Sequence, residues 1–313
     1  MIFKVAIVGC GNIGFRHIEA LCRVKSEIFF YIIDQDVEAI KKSKLNLEQN
    51  MKTYKIVSSL EDIEEDLDLL ILSTSSKPRY KLLEQSKILN IKNIILEKFL
   101  FNDLRQYASI EKNIESYKNC YVNCTRRAMP SYVELQKILH DITEFRVVGS
   151  NIGLACNAIH YIDLLSYFLE EENLDLEFST MQLTDCLSKR TGYTEYTGRV
   201  CGNLSNIPFV IESYKEEGIE RKIIFQSKNY VTTIKEDSGT IQVYDKAKSA
   251  LKIKEFSFPY LSSVLIDEYE TLLLSGRTHL TPLRESICLH RCFLDSLINN
   301  THWIKDQNVR DIT

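Results

Sequence analysis

The sequence is short of the two residues that interrupt regular structure, with 11 glycines and 5 prolines in 313 residues. Glycine stands at roughly half its usual ~7%, which excludes collagen-like and glycine-rich low-complexity architectures. An excess of either charge is also missing. Thirty-nine Lys and Arg against 43 Asp and Glu leave a net charge of −4, so no bulk attraction to nucleic acid or anionic lipid is expected. The basic pairs Lys41-Lys42 and Arg126-Arg127 are too short to reverse that. No apolar run approaches the ~20 residues that span a bilayer. The apolar stretch at Val5–Val8 meets glycine at once, without the longer core and small-residue cleavage site of a secretory signal. The nine cysteines are odd in number and contain no Cys-x-x-Cys pair, which argues for reduced thiols in the cytoplasm and against a disulfide framework. Cys288 and Cys292 flank His290, but they sit one helical turn apart in an apolar-periodic segment. They are expected to be core thiols, and no metal site is expected.

What is present is a globular composition, 44% hydrophobic and 26% charged, in a chain long enough for two domains. Against so few glycines, three between residues 9 and 14 stand out. Residues 3–8 read as a buried strand. Gly9-Cys10-Gly11-Asn12-Ile13-Gly14 follows, then a helical pattern through Ile18, Leu21 and Cys22, then a strand from Ile28 to Ile33 that ends at Asp34. Strand, glycine turn, helix, strand and acid form the pattern of a dinucleotide-binding unit. Gly9 suits the tight turn, Gly11 lets backbone approach a pyrophosphate, and Gly14 allows close packing. The helix start at Asn12 and Ile13 would present free N–H groups to phosphate, and Asp34 could accept hydrogen bonds from both ribose hydroxyls. A loop for S-adenosylmethionine would usually follow an acidic residue, whereas Ala6-Ile7-Val8 precedes this one. Asp34, with Gln35 and Asp36 beside it, would repel a 2′-phosphate. NAD(H) is therefore expected in preference to NADP(H).

The alternation of helix and strand continues. Val37–Gln49 reads as a helix, Lys55–Val57 as a short strand, and Ser59–Glu65 as a helix behind a capping serine. The strand Asp68–Leu72 runs into the polar loop Ser73-Thr74-Ser75-Ser76, placed where ligands sit in doubly wound sheets. Ser73 and Thr74 are accordingly candidate cofactor residues. A helix over about 78–89 leads to the strand Asn93–Leu96 and the charged pair Glu97-Lys98. Such a pair at the end of an apolar strand reads as a ligand site or an ion pair.

These residues resemble the Gfo/Idh/MocA oxidoreductases. That family's opening pattern GxGxxGxxH is matched by Gly9, Gly11, Gly14 and His17, and its Glu-Lys-Pro by Glu97-Lys98-Phe99, without the proline. The Arg-rich turn before a proline is matched by Arg126-Arg127 and Pro130, and the Asp-x-x-x-His-x-x-Asp helix by Cys156, His160 and Asp163. The resemblance implies a Rossmann domain with a doubly wound parallel sheet over residues 1–122. It further implies a substrate-binding and oligomerisation domain over 123–313, an open-faced, mostly antiparallel sheet with helices on one side. The implied chemistry is hydride transfer between a nicotinamide and a carbon of a sugar or sugar derivative, with a nucleotide sugar of surface-polysaccharide biosynthesis as one setting. Lys98 and His160 would be catalytic, Arg127, Asn157 and Asp163 would bind substrate, and Glu97 would join the cofactor residues. A helix would place Cys156, His160, Asp163 and Tyr167 on one stripe and Ile162, Leu165 and Leu169 on another. Imidazole titrates near neutrality and suits a base for an alcohol proton, while an ammonium can stabilise negative oxygen.

Cys156 departs from the family's aspartate, since a thiol holds an imidazole tautomer less firmly than a carboxylate. Asp163 or Asn157 could then orient His160, Lys98 could carry the proton, or the chain could be a catalytically silent dinucleotide-binding regulator or scaffold. From Glu144 to Ser150 the pattern turns to a strand, and after residue 176 six short alternating runs read as strands, 176–185, 194–204, 208–215, 220–226, 230–235 and 240–244. An exposed apolar sheet face would need a cover, so a homodimer or homotetramer through this sheet is expected. The polar segment 188–193 reads equally as a substrate loop or an ordinary connection. Helices over about 262–274 and 282–299 close the chain.

Overall fold

A computed structural model describes residues 1–300 apart from Glu172, residues 187–192, Thr194, Phe256 and Ser257. The segment 188–193 therefore falls almost wholly outside the described residues. In chain order the elements are β1 (Ile2–Val8), α1 (Asn12–Arg23), β2 (Glu27–Ile33), α2 (Val37–Gln49), β3 (Thr53–Ile56), β4 (Leu69–Leu72), α3 (Ser76–Gln85) and β5 (Ile94–Leu96). Next come α4 (Leu104–Lys112), β6 (Cys120–Val122), α5 (Pro130–Gln136), β7 (Ile142–Ser150), α6 (Leu154–Leu169), β8 (Leu176–Cys186), β9 (Glu195–Leu204) and β10 (Ile207–Tyr214). The remainder are β11 (Lys222–Ser227), β12 (Tyr230–Lys235), β13 (Thr240–Asp245), β14 (Ala250–Glu255), α7 (Leu261–Ser275), β15 (Thr281–Pro282) and α8 (Leu283–Asn300).

The chain divides into two compact units. One comprises Met1–Ala128 with Pro259–Arg284, and the other Met129–Phe258 with the chain from Glu285. The first unit thus runs past residue 122 and takes back a later segment, which a division at 122/123 leaves out. Two packing events account for this: Thr281 pairs with Val122 as an antiparallel edge, and α7 packs against α1.

The first unit holds a seven-stranded sheet in the order β15-β6-β5-β4-β1-β2-β3, parallel except at β15. Its central strands are apolar runs with little alternation, as burial on both faces requires; every residue of β4 is buried. Asp36 caps α2 by accepting hydrogen bonds from the Glu38 and Ala39 amides. The helix expected over 59–65 is only a 3-10 turn, Leu60–Asp62, despite a capping box between Ser59 and Asp62. Ile63 is already extended, and the acidic run Glu64-Glu65-Asp66 supplies no apolar stripe to continue the helix.

The second unit holds an eight-stranded sheet in the order β14-β13-β12-β11-β7-β10-β9-β8. It is antiparallel except where β10 runs parallel to β7. Period-two alternation sorts its two faces. Phe209, Phe145 and Phe225 share one cross-strand row and are buried. The neighbouring row, running from Cys201 through Val210, Arg146, Ile224, Thr233 and Gln242 to Ile253, remains partly or fully exposed. This open face is mixed in character, where an apolar one was expected. Glu212 receives Arg146 at its centre, while Tyr244, Leu251 and Ile253 are exposed at the β14 edge. β14 escapes sequence reading because Lys252, Lys254 and Glu255 mask its two apolar positions.

Candidate functional site

In the first unit, β1 ends at Val8 and the chain turns through Gly9 at φ +90°. That left-handed backbone favours glycine, and there is no room for anything larger. A Cβ on Gly9 would lie 2.8 Å from the Thr74 amide nitrogen, and one on Gly14 only 1.8 Å from the Gly9 carbonyl oxygen. The glycine turn, the first turn of α1 and the β4 loop are therefore packed backbone on backbone. Ser73 reinforces this contact by donating its hydroxyl to the Gly9 carbonyl at 2.6 Å. Asp34, at the end of β2, accepts from the Cys10 amide and, at 2.8 Å, from the Asp36 amide. Burial, with the Asp34 charge nearby, pushes the Cys10 thiol up to about 12, so this thiol is no nucleophile.

Gly11 behaves differently. As the N-cap residue of α1 it has φ −60°, and a Cβ there would meet nothing within 4 Å. It borders a cavity of about 610 Å³ whose walls include Gly9, Asp34, Gln35, Leu60, Ser73, Thr74, Pro78 and Leu82. The Thr74 hydroxyl oxygen is buried without a hydrogen-bond partner among the described residues. An open glycine at a helix N-terminus, with a carboxylate at the end of β2 on one side and an orphaned hydroxyl after β4 on the other, suits a dinucleotide. The amides at the α1 start and Gly11 would hold the pyrophosphate, and Asp34 the ribose. Asn12 and Ile13 lie in the first turn of α1; neither lines this cavity.

Of the two readings of Glu97, ligand site or ion pair, the structure shows it paired within the protein, with His17 as the partner. It is 6% exposed, lies 2.9 Å from His17 Nε2, and accepts a hydrogen bond from the Asn123 amide. Its carboxylate is turned to its own unit, and Glu97 does not line the cavity. A carboxylate can only accept, so His17 Nε2 carries the hydrogen, and His17 Nδ1 meets the Tyr269 hydroxyl. Burial alone would raise the Glu97 pKa. The His17 hydrogen bond and charge, the Asn123 amide and the Arg79 guanidinium outweigh it and hold it below the usual carboxylate range. Burial and the charges of Glu97 and Glu268 push the Tyr269 hydroxyl well above the usual tyrosine range. Lys98 follows as the only half-exposed residue of 97–101.

Arg127 is 4% exposed and belongs to the first unit, whereas it was expected in the second domain.

In the second unit, α6 begins after Gly153 at φ +76°, with no side-chain cap of its own. Glu195 supplies one from β9: its Oε1 accepts from the Ala155 amide at 2.7 Å and from its own following amide, that of Tyr196, at 2.9 Å. Cys156, Asn157, His160 and Tyr167 are half-exposed, while Ile162 and Leu165 are buried. Asp163 departs from the expected stripe at 1% exposure, so it offers no open carboxylate. The Asn157 side-chain amide donates to the Ile152 carbonyl at 2.6 Å. Cys288 and Cys292, expected in the core, are half-exposed, and His290 between them is the buried one. No metal-ligand cluster occurs among the described residues, and no helix among them is long and apolar enough to cross a membrane.

Sequence reasoning missed Arg79, Asn123, Tyr269 and Glu195. Arg79 beside Pro78 looks like a solvated helix start, and Tyr269 reaches His17 across 252 positions. No local pattern signals either.

No protein of curated function matches the chain by sequence. Among solved structures, a dehydrogenase (MviM) from Clostridium difficile superposes with TM-score 0.71 at 16% identity, covering 96% of this chain and 99% of that one. The transcriptional regulator Gal80p of Kluyveromyces lactis gives TM-score 0.71 at 16% identity, covering 95% and 92%. UDP-N-acetylglucosamine 3-dehydrogenase GnnA of Acidithiobacillus ferrooxidans gives TM-score 0.71 at 11% identity, covering 96% of each chain. At these identities the likeness is one of fold. Residues 3–123 match the family model described as "Oxidoreductase family, NAD-binding Rossmann fold", the span that contains the glycine turn, Asp34, the β4 loop and Lys98. Over that span the chain is similar to the NAD-binding domain of the Gfo/Idh/MocA oxidoreductases.

Proposed function

We propose that the protein is a cytoplasmic NAD(H)-dependent oxidoreductase that moves hydride to or from a carbon of a sugar or sugar derivative. The observation that carries this reading is the cavity beside Gly11 and Asp34, with its orphaned Thr74 hydroxyl. When bound, the dinucleotide supplies a nicotinamide that takes or gives the hydride. The chain supplies the rest. Gly11 and the α1 amides receive the pyrophosphate, and Asp34 binds the ribose hydroxyls and opposes a 2′-phosphate. The Lys98 ammonium steadies negative charge on the reacting oxygen. His160 takes the hydroxyl proton on an imidazole nitrogen. With Asp163 buried and the Asn157 amide turned to Ile152, His160 is the side chain of α6 best suited to meet substrate. GnnA, which shares the fold, is a nucleotide-sugar dehydrogenase by its description, which supports a sugar-type substrate. A homodimer or homotetramer through the second sheet is part of this reading, and its support narrows to the exposed Tyr244, Leu251 and Ile253.

Titration with NADH and NADPH tests the cofactor reading. Wild type binds NADH more tightly, and Asp34→Ala weakens NADH by about 10- to 100-fold, the equivalent of hydrogen bonds to a charged group. Equal or tighter binding of NADPH would overturn the preference. Turnover on a panel of sugars and nucleotide sugars, compared with Lys98→Ala, then tests the chemistry. Cys156 and the shared fold of Gal80p, described as a transcriptional regulator, favour a second reading, a silent dinucleotide-binding regulator. NADH binding without turnover of any sugar in the panel would select it.

A further inference from the structure

The strands β4 and β5 end at Leu72 and Leu96, and beyond them the backbone carbonyls have no ladder to join. Arg79, in α3, reaches carbonyls of this region. It is 1% exposed, and its guanidinium donates to the carbonyls of Thr74, Phe99 and Leu100, the last at 3.0 Å. Thr74 is a wall of the dinucleotide cavity, and Phe99 and Leu100 directly follow Lys98. We propose that Arg79 is a positioning residue for the reaction, tying the cavity wall to the turn that carries Lys98. This rests on the dinucleotide reading above.

Three features carry the inference. First, a buried guanidinium is expensive to desolvate, and a well-packed apolar side chain would fill the same space at least as stably. A planar fork that bonds two separate chain segments, however, does something an apolar filler cannot. Second, the residues on both sides of Lys98 are held. Glu97 is bound by His17 and Asn123, and Phe101 exchanges both backbone bonds with the Tyr107 hydroxyl, at 3.1 and 2.8 Å. Arg79 holds the two residues between. Third, burial within 97–101 is complete apart from Lys98, so the restraints converge on the one side chain left accessible. A lysine at position 79 would keep the charge but present it from a single point, and could not span both loops.

Lys98 itself reports the test, with no substrate needed. Wild type, Arg79→Lys and Arg79→Met are acetylated with N-hydroxysuccinimidyl acetate, and the Lys98 rate is read by peptide mass spectrometry against exposed Lys112. The expected result is a change in the Lys98/Lys112 ratio of about fivefold or more in a folded Arg79→Lys. An unchanged ratio in folded Arg79→Lys overturns the proposal. If neither variant folds, Arg79 is purely structural and the proposal also falls. NADH titration of the wild type separates the two claims. Failure to bind overturns the dinucleotide reading and the purpose of the tie with it, whereas binding with an unchanged Lys98 ratio overturns the tie alone.

Discussion

At the strand ends of the first unit, polar side chains are buried and bound to one another: His17 to Glu97 and Tyr269, Glu97 to Asn123, and Arg79 to three carbonyls. On α6 of the second unit, Cys156, Asn157, His160 and Tyr167 lie half-exposed on a helix whose other faces are packed. A buried network fixes one geometry, because each member loses a partner if another changes. A half-exposed helix face can exchange residues without disturbing the core beneath it. The first arrangement is fixed by its partners, and the second is free to vary. Cys156, half-exposed on α6, falls on the permissive side of this contrast.

The largest effects should therefore come from the glycine turn. Gly14→Ala sets a Cβ 1.8 Å from the Gly9 carbonyl oxygen, a clash between backbones that no rotamer relieves. A loss of about 3 kcal/mol or more is expected, seen in thermal denaturation together with loss of NADH binding. Gly11→Ala adds the same methyl group where nothing lies within 4 Å. It should leave the melting temperature within about 1–2 °C of wild type while weakening NADH about tenfold. Equal melting losses in the two variants would show that the turn is not built around ligand space.

Glu97 comes next. Glu97→Ala strips a buried ion-paired carboxylate from His17 and should cost about 3–5 kcal/mol. Its pKa is lowered in the folded state, so the unfolded chain takes up the proton first as pH falls. The contribution to stability is complete above the ordinary carboxylate value of 4.5, and is lost as pH drops below that value through the folded-state pKa. Denaturation of wild type and Glu97→Gln between pH 7 and pH 3 measures this, and the two curves should converge at the acid end. A constant gap across the range would mean that the carboxylate charge is irrelevant.

In the second unit the corresponding anchor is the Glu195 cap on α6. Glu195→Gln replaces a charged acceptor with a neutral one and should cost about 1–2 kcal/mol in chemical denaturation. NADH affinity should stay at the wild-type value, because every residue lining the cavity belongs to the first unit. A drop in nucleotide affinity would erase the distinction between the two units.

The same contrast governs what could be read from the sequence. Strand, glycine turn and acid are local, and each glycine's reason is local too; β1, α1, β2 and the cavity residues Gly9, Gly11, Asp34, Ser73 and Thr74 were legible for that cause. The strands of the second sheet were legible through alternation, β14 excepted, because its lysines obscure the pattern. The buried network was not. Glu97 reads as either a ligand residue or an ion-pair member until His17 and Asn123 arrive from distant segments. Asp163 looks exposed on a helical wheel until its actual packing buries it. Periodicity fixes which residues share a face, and tertiary contacts decide which faces are covered.

The smallest effect concerns thiols, which change no fold and therefore probe the contrast without disturbing it. Cys10 in the first unit is buried, and its thiol is pushed up to about 12 by burial and the Asp34 charge. Cys292 on α8 is half-exposed. A hydrogen bond from Cys288, opposed by partial burial and helped by Arg291, brings its thiol down to about 7. The thiolate is the reactive form, so iodoacetamide at pH 7.5 should label Cys292 while leaving Cys10 intact, as peptide mass spectrometry would show. Because Cys288 is the leading cause, Cys288→Ala should move the midpoint of Cys292 labelling to higher pH, toward the ordinary thiol value of 9.0. The Arg291 charge would keep part of the shift. If the midpoint does not move, the neighbouring thiol contributes nothing and Arg291 alone activates Cys292; Arg291→Gln would then raise it instead. Labelling of Cys10 at a comparable rate would be the more serious result, since it requires the glycine turn to open in solution and the buried site to be less fixed than the exposed helix.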